Sequence, residues 1–279
     1  MLTKKYCNQF INLYLICFLV NYAWLFFNGL TFTAFNPVFF TNKLDLITDF
    51  LLLTNLQQLV ISSKAFKVVL DVVFLLLPFV LLYTNYYAIK ARPAVALASA
   101  SFNLLYCLLL SIFSFSTTGQ FIPWVIVPLV FYCTSDEKFT ALFNALRWVF
   151  LAIFLSAGLW KLATGALFNA EEMSAVLMHQ HTQILVDGNT NFFTPALLYL
   201  IKHKNIAQFF YIIAFVAETL FVIGFFTKKY DKYLAIAFCL FLVFDFMLMF
   251  IYYFSWFIFI GFLYFSKFEK NEKSSTNFI

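Results

Sequence analysis

Four ionisable residues, Asp71, Lys161, Glu218 and Asp245, stand inside otherwise apolar runs of the chain. A charged group at the centre of a membrane helix costs about 2.5–3.5 kcal/mol on insertion scales, so each needs a partner or a task. A lysine sheltered from water gives up its proton more readily and becomes a neutral amine that can act as a base. A carboxylate beside it opposes that change by favouring the ammonium form. Lys161 closes its apolar run at the end that charge placement puts outside. Asp245 lies several ångströms below the same surface at about 1.5 Å per residue, and Glu218 is nearer mid-membrane. Turned inward, the Lys161 side chain reaches Asp245 and forms a polar pocket open to the outside; turned outward, it snorkels to the headgroups. Glu218 and Asp245 likewise read either as a site or as a hydrogen-bonding pair between helices. Asp71 is a few residues into its run and is expected at the interface.

Other chemistry has little support. His179 and His181 are two apart on an expected helix and point in different directions, so they cannot share a metal. His203 sits between Lys202 and Lys204, as at a headgroup surface. Cys7, Cys17, Cys107, Cys133 and Cys239 lie in or beside apolar runs, with no C-x-x-C spacing, which suits buried thiols better than a disulfide framework or a zinc site. No phosphate-binding loop, nucleophile elbow, dinucleotide fingerprint or H-E-x-x-H motif occurs.

The elements that must position these residues follow from composition. Of 279 residues, 63% are hydrophobic and 11% charged, with 42 Phe and 15 Tyr, whereas a water-soluble domain carries about 25% charged residues. Lipid is the solvent that fits such a chain, and the expected fold is an all-α polytopic membrane bundle. Eight spans are expected: Phe10–Asn28, Val68–Tyr87, Ala94–Thr117, the short Phe121–Cys133, Phe143–Leu162, Ile206–Phe226, Leu234–Phe250 and Tyr252–Ser266. The fourth can cross or be re-entrant. The first has no small-residue cleavage site after it and reads as a retained helix. Residues 1–266 form the membrane domain and 267–279 a polar cytoplasmic tail.

Eight spans with the N-terminus inside place twelve of the 18 basic residues on the cytoplasmic side and six outside, which satisfies the positive-inside rule and puts both termini in the cytoplasm. The net charge of +5 is therefore a topology signal, and nucleic acid is not an expected partner. Both long connections then lie outside. Leu44–Ile61 is too polar to span and is expected on the membrane surface. Ala163–Asn205 holds two more surface helices: one capped by Asn169 with Glu172, its face carrying Met173, Val176, Leu177, Ile184 and Leu185, and one started by Thr194-Pro195.

The stretch Arg147-Trp148 through Ser156-Ala157-Gly158-Leu159-Trp160-Lys161-Leu162 resembles the A-G-x-K-K-L motif of the HTTM family, whose membrane domain is shared with vitamin K-dependent gamma-glutamyl carboxylase. Ala217-Glu218-Thr219-Leu220, Phe244-Asp245 and Phe254-Ser255-Trp256-Phe257 follow in the family's order, so the likeness covers roughly Arg147–Phe265. It implies a bacterial inner-membrane protein with redox or carboxylase-like chemistry on a quinone-type lipid, with Lys161 as the base and Glu218 and Asp245 beside it. The catalytic histidines are not matched: the family has histidine where this chain has Asp245, and its Asn-His pair has only Asn103 here. The carboxylase's large lumenal domain is also missing. The alternative is a non-catalytic membrane subunit or assembly factor similar to DoxX/MauE-type proteins, which carry a similar lysine motif and would bind a membrane protein partner. A transporter fits less well, since only 7 Gly are present and no paired broken helices appear.

Overall fold

The computed structural model describes residues 2–34, 46–113, 118–187 and 193–265. Their regular structure is all helical, with no strand among them. The tail from Lys267, the end of the third expected span and the start of the Leu44–Ile61 stretch lie outside the described residues.

Six helices are long and apolar enough to cross a membrane: α1 (Leu2–Phe27), α4 (Lys64–Tyr87), α5 (Arg92–Ser111), α7 (Asp136–Ala163), α11 (Lys204–Thr219) continued through a 3-10 turn by α12 (Ile223–Phe226), and α13 (Asp231–Met249). The protein is an integral, multi-pass membrane protein. The fourth and eighth expected spans are shorter apolar helices, Gln120–Tyr132 and Phe254–Phe265. The first of these is α6 (Thr118–Ile126) followed by a 3-10 turn at Val127–Tyr132; the second is a 3-10 turn followed by α14 (Ile260–Phe265). The surface stretch before α4 is helical as two pieces, α2 (Leu46–Leu53) and α3 (Leu56–Ser62), broken at Asn55 with its φ of 57°.

The chain divides into two units, Met1–Leu146 with Phe254–Gly261, and Arg147–Tyr253 with Phe262–Ile279. In the first unit the short α6 segment is buried: Phe121, Trp124, Val127, Val130 and Phe131 are fully covered. Phe18 meets the Trp124 ring edge-on at 5.2 Å, and Phe74 stacks on Tyr106 at 4.3 Å. Irregular backbone at membrane depth is tolerated only where protein surrounds it. Pro128 lacks the N–H that would bond the Trp124 carbonyl four residues earlier; Asn103 Nδ2 of α5 donates to that oxygen at 2.7 Å instead. Asn103 thus stabilises a proline break.

Asp71, expected at the interface, is enclosed by protein. It is buried, and its carboxylate accepts from Phe32 N at 3.1 Å, Thr33 N at 2.8 Å, Thr33 Oγ1 at 2.6 Å and Tyr106 OH at 2.6 Å. The turn after α1 therefore folds back onto α4 and α5. Four donors on one carboxylate replace its water shell, which is how a buried charge is tolerated.

Asp71→Ala should lower unfolding stability by about 3 kcal/mol, since it leaves several buried donors unpaired, and Tyr106→Phe by about 1–2 kcal/mol. Reversible detergent unfolding of the purified protein measures both, and equal small losses would count against the network.

Candidate functional site

The second unit holds the three residues singled out above. Lys161 is the third residue from the end of α7, where the Cα–Cβ bond tilts toward the helix N-terminus and so back along the span. That tilt works against snorkelling at this end of a helix. The ammonium Nζ lies 2.8 Å from Glu218 Oε1, and 4.9 Å from the centre of the Tyr211 ring. Tyr211 and Glu218 are seven residues apart on α11, on one face two turns apart. The Lys161 side chain retains 18% of its exposure and Glu218 only 5%, so the pair is sheltered with a restricted opening. The inward lysine therefore meets Glu218; Asp245 forms no ion pair with it, but lies within electrostatic range of both Lys161 and Glu218. Nor does a hydrogen bond join Glu218 to Asp245. Glu218 Oε2 is buried and has no hydrogen-bond partner.

Gly158 explains how α7 and α11 come close enough for this contact. A Cβ built there would stand 2.9 Å from Thr219 Cγ2 and 3.4 Å from Glu218 Cβ. Thr219 cannot turn aside freely, because its hydroxyl donates to the carbonyls of Phe215 and Val216 at 2.9 and 3.0 Å. Just beyond Glu218 the helix tightens into the 3-10 turn Leu220–Val222 before α12 resumes. A 3-10 segment inside a helix often marks a functional hinge or local strain.

A second ion pair ties the middle of α7 to the start of α13. Arg147 Nε donates to Asp231 Oδ2 at 2.9 Å and Nη2 to Oδ1 at 2.5 Å, while Nη2 also reaches the Gly224 carbonyl at 3.0 Å. Both side chains are essentially fully buried. Fourteen residues separate Arg147 from Lys161 on α7 and fourteen separate Asp231 from Asp245 on α13. That is about 21 Å of helix in each case, so a clamp at one end sets Lys161 and Asp245 at matching heights.

The connection between α7 and α11 folds over the same unit. It contains α8 (Glu172–Gln180), α9 (Thr182–Asp187) and α10 (Thr194–Lys202), three short helices where two are expected. Thr194-Pro195 starts α10. Asn169 makes a turn, not the expected cap: its Oδ1 accepts from Glu171 N at 3.1 Å and its Nδ2 donates to Glu172 Oε2 at 3.2 Å. Met173 and Leu177 pack with Leu197, Leu200, Ala207 and Tyr211 in one apolar cluster. The break at His181 separates Ile184 and Leu185 from that face. His181 itself is buried, with Nε2 2.7 Å from the Leu248 carbonyl of α13 and no partner on Nδ1. Lys204 bonds Glu171 at the surface and holds its carboxyl below the usual range through that hydrogen bond and its charge. So exposed a pair contributes little to stability.

No protein-family model, curated protein or solved structure matches this chain. The chemistry must therefore be taken from the cluster itself. It offers a cationic donor, a carboxylate with one unused oxygen and a second carboxylate nearby. Among the described residues no three His, Cys, Asp or Glu side chains converge as metal ligands would. Such a cluster can bind a small polar head that both donates and accepts hydrogen bonds, and can exchange a proton with it.

Gly158→Ala should cost about 1–3 kcal/mol by overpacking against Thr219. Adding Thr219→Ser, which removes the opposing methyl and keeps the hydroxyl, should recover most of the loss in the same unfolding measurement. No recovery would mean that Thr219 is not what Gly158 makes room for.

Proposed function

We propose that the chain is an HTTM-like membrane protein whose functional centre is the Lys161–Glu218–Asp245 cluster, acting on the polar head of a quinone-type lipid. The observation that carries this reading is the unpartnered Glu218 Oε2 beside the Lys161 ammonium. A buried acceptor without a donor costs about 1–3 kcal/mol, and a hydroquinone hydroxyl supplies the missing donor. The Glu218 carboxylate takes the proton from that hydroxyl, and the Lys161 ammonium balances the charge left on the oxygen. Tyr211 and the Phe-rich helix faces accommodate the ring and its apolar tail.

The family likeness also implies a bacterial inner-membrane location with both termini in the cytoplasm, so that this cluster opens to the non-cytoplasmic side. Asp245 in place of the family's histidine argues for quinone-linked proton chemistry in preference to carboxylation. When ionised, its negative charge favours the ammonium form of Lys161. A second reading, a non-catalytic subunit or assembly factor similar to DoxX/MauE-type proteins, draws support from the ion pair itself. Lys161 is already neutralised by Glu218, as a purely structural tie would be.

Titration of the purified protein with a short-chain quinol, followed by tryptophan fluorescence, separates the two. The enzyme-like reading expects saturable binding that Lys161→Ala weakens by about tenfold or more, the worth of a charge-assisted hydrogen bond, and that Lys202→Ala leaves unchanged. Undiminished binding in Lys161→Ala ends it. Stable co-purification with another membrane protein, with no quinol bound, supports the subunit reading.

A further inference from the structure

The first unit contains a cleft of about 90 Å³, lined among others by Cys7, Asn8, Asn85, Arg92, Ser135 and Asp136. Arg92, the first residue of α5, is 4% exposed. Its Nη1 donates to Asn85 Oδ1 at 2.8 Å and to Cys7 Sγ at 3.4 Å, and its Nη2 donates to the Cys133 carbonyl. Its Nε has no partner. All three acceptors are neutral, and among the described residues no carboxylate lies within ion-pair distance. The contrast with Arg147 is direct: one buried guanidinium in this chain grips an aspartate, and the other has no anion. A buried charge left without a counter-charge is strongly destabilising, and a bound anion would relieve that cost.

The cleft is also built for negative charge. Ser135 stands immediately before α7 and its Oγ accepts from Lys138 N at 3.4 Å, so the mouth lies at the start of a 28-residue helix. The first-turn N–H groups and the positive end of the dipole favour an anion there. Lys5, Lys90 and Lys138 are exposed and lie within three residues of lining positions. Asp136 on the lining and Glu137 beside it are the opposing charges, and both are exposed.

We infer that this cleft is a phosphate-binding site in which Arg92 holds a phosphoryl group, supplied either by an anionic lipid headgroup or by a free phosphate. A planar guanidinium with an unused N–H suits an oxyanion, and basic pockets between spans are a recurrent way of holding lipid headgroups. With the sidedness expected from the basic residues, the mouth faces the cytoplasmic leaflet. The site is independent of the Lys161 cluster, so either can fail without the other.

Thermal melting of the full-length protein in neutral detergent tests it, at ionic strength matched with chloride. One arm adds inorganic phosphate; the other adds phosphatidic acid, with phosphatidylcholine as control. A saturable rise in melting temperature in either arm is expected, and a rise with phosphatidic acid alone identifies the lipid as the source. Arg92→Gln should weaken the response by about tenfold or more. Should that variant not fold, Asn8→Asp decides: it keeps the acceptor used by Asn85 Nδ2 at 2.8 Å, puts a fixed carboxylate on the cleft lining, and should raise the unliganded melting temperature while abolishing the response. Asp136→Asn should tighten binding by about two- to fivefold, the worth of one exposed charge. No response in wild type, or an equal response in Arg92→Gln and Asn8→Asp, overturns the assignment.

Discussion

A charge removed from water must be compensated, by the protein or by a bound ligand, and in a chain that is 11% charged this requirement arises only a few times. Each occurrence ties helices together. Asp71 draws the turn after α1 onto α4 and α5. Arg147 joins α7 to the start of α13 and to the carbonyl of Gly224. Lys161 joins the far end of α7 to α11. Lipid offers helices no hydrophobic reason to prefer one another, so close packing and such polar ties specify their arrangement.

Packing and polarity cooperate in these ties. Gly158 leaves room for Thr219 and the stem of Glu218, and Gly224 leaves room for Leu151 and Leu234 while its carbonyl serves Arg147. Small residues thus stand beside the charges they allow to meet. The resulting frame is rigid at the Arg147 end, where both partners are fully buried. It is looser at the Lys161 end, where the lysine keeps some exposure and one Glu218 oxygen remains unused. That asymmetry is why chemistry is assigned to the second end.

Apolar run length was enough to find the six long spans, because a span needs about 20 apolar residues and little else in a sequence mimics that; the other two expected spans are shorter apolar helices. Helix ends were less legible. The helix α1 begins eight residues before the expected start, since polar Lys4, Lys5 and Asn8 continue it without a break. Lys161, Glu218 and Asp245 were identifiable as charges in apolar surroundings, but their pairing depends on relative height and rotation of helices, which local spacing does not encode. The partners of Asp71 are not legible in sequence, because its donors come from a turn 38 residues earlier and a tyrosine 35 residues later. Arg92 and Arg147 counted as inner basic residues; nothing adjacent in sequence marks one as paired and the other as lacking a carboxylate. Asn103 was visible only as a fragment of a family pattern, and its actual contact follows from Pro128.

The central claim is that Lys161 turns inward and is held by Glu218, and a double-mutant cycle on unfolding free energy tests it most directly. Lys161→Met, Glu218→Gln and the double variant are compared with wild type under reversible unfolding. A coupling energy of about 1–3 kcal/mol is expected for a sheltered contact pair, with the double variant more stable than the sum of the single losses predicts. Additive losses, with coupling below about 0.3 kcal/mol, would show that the two side chains do not interact and would contradict the account.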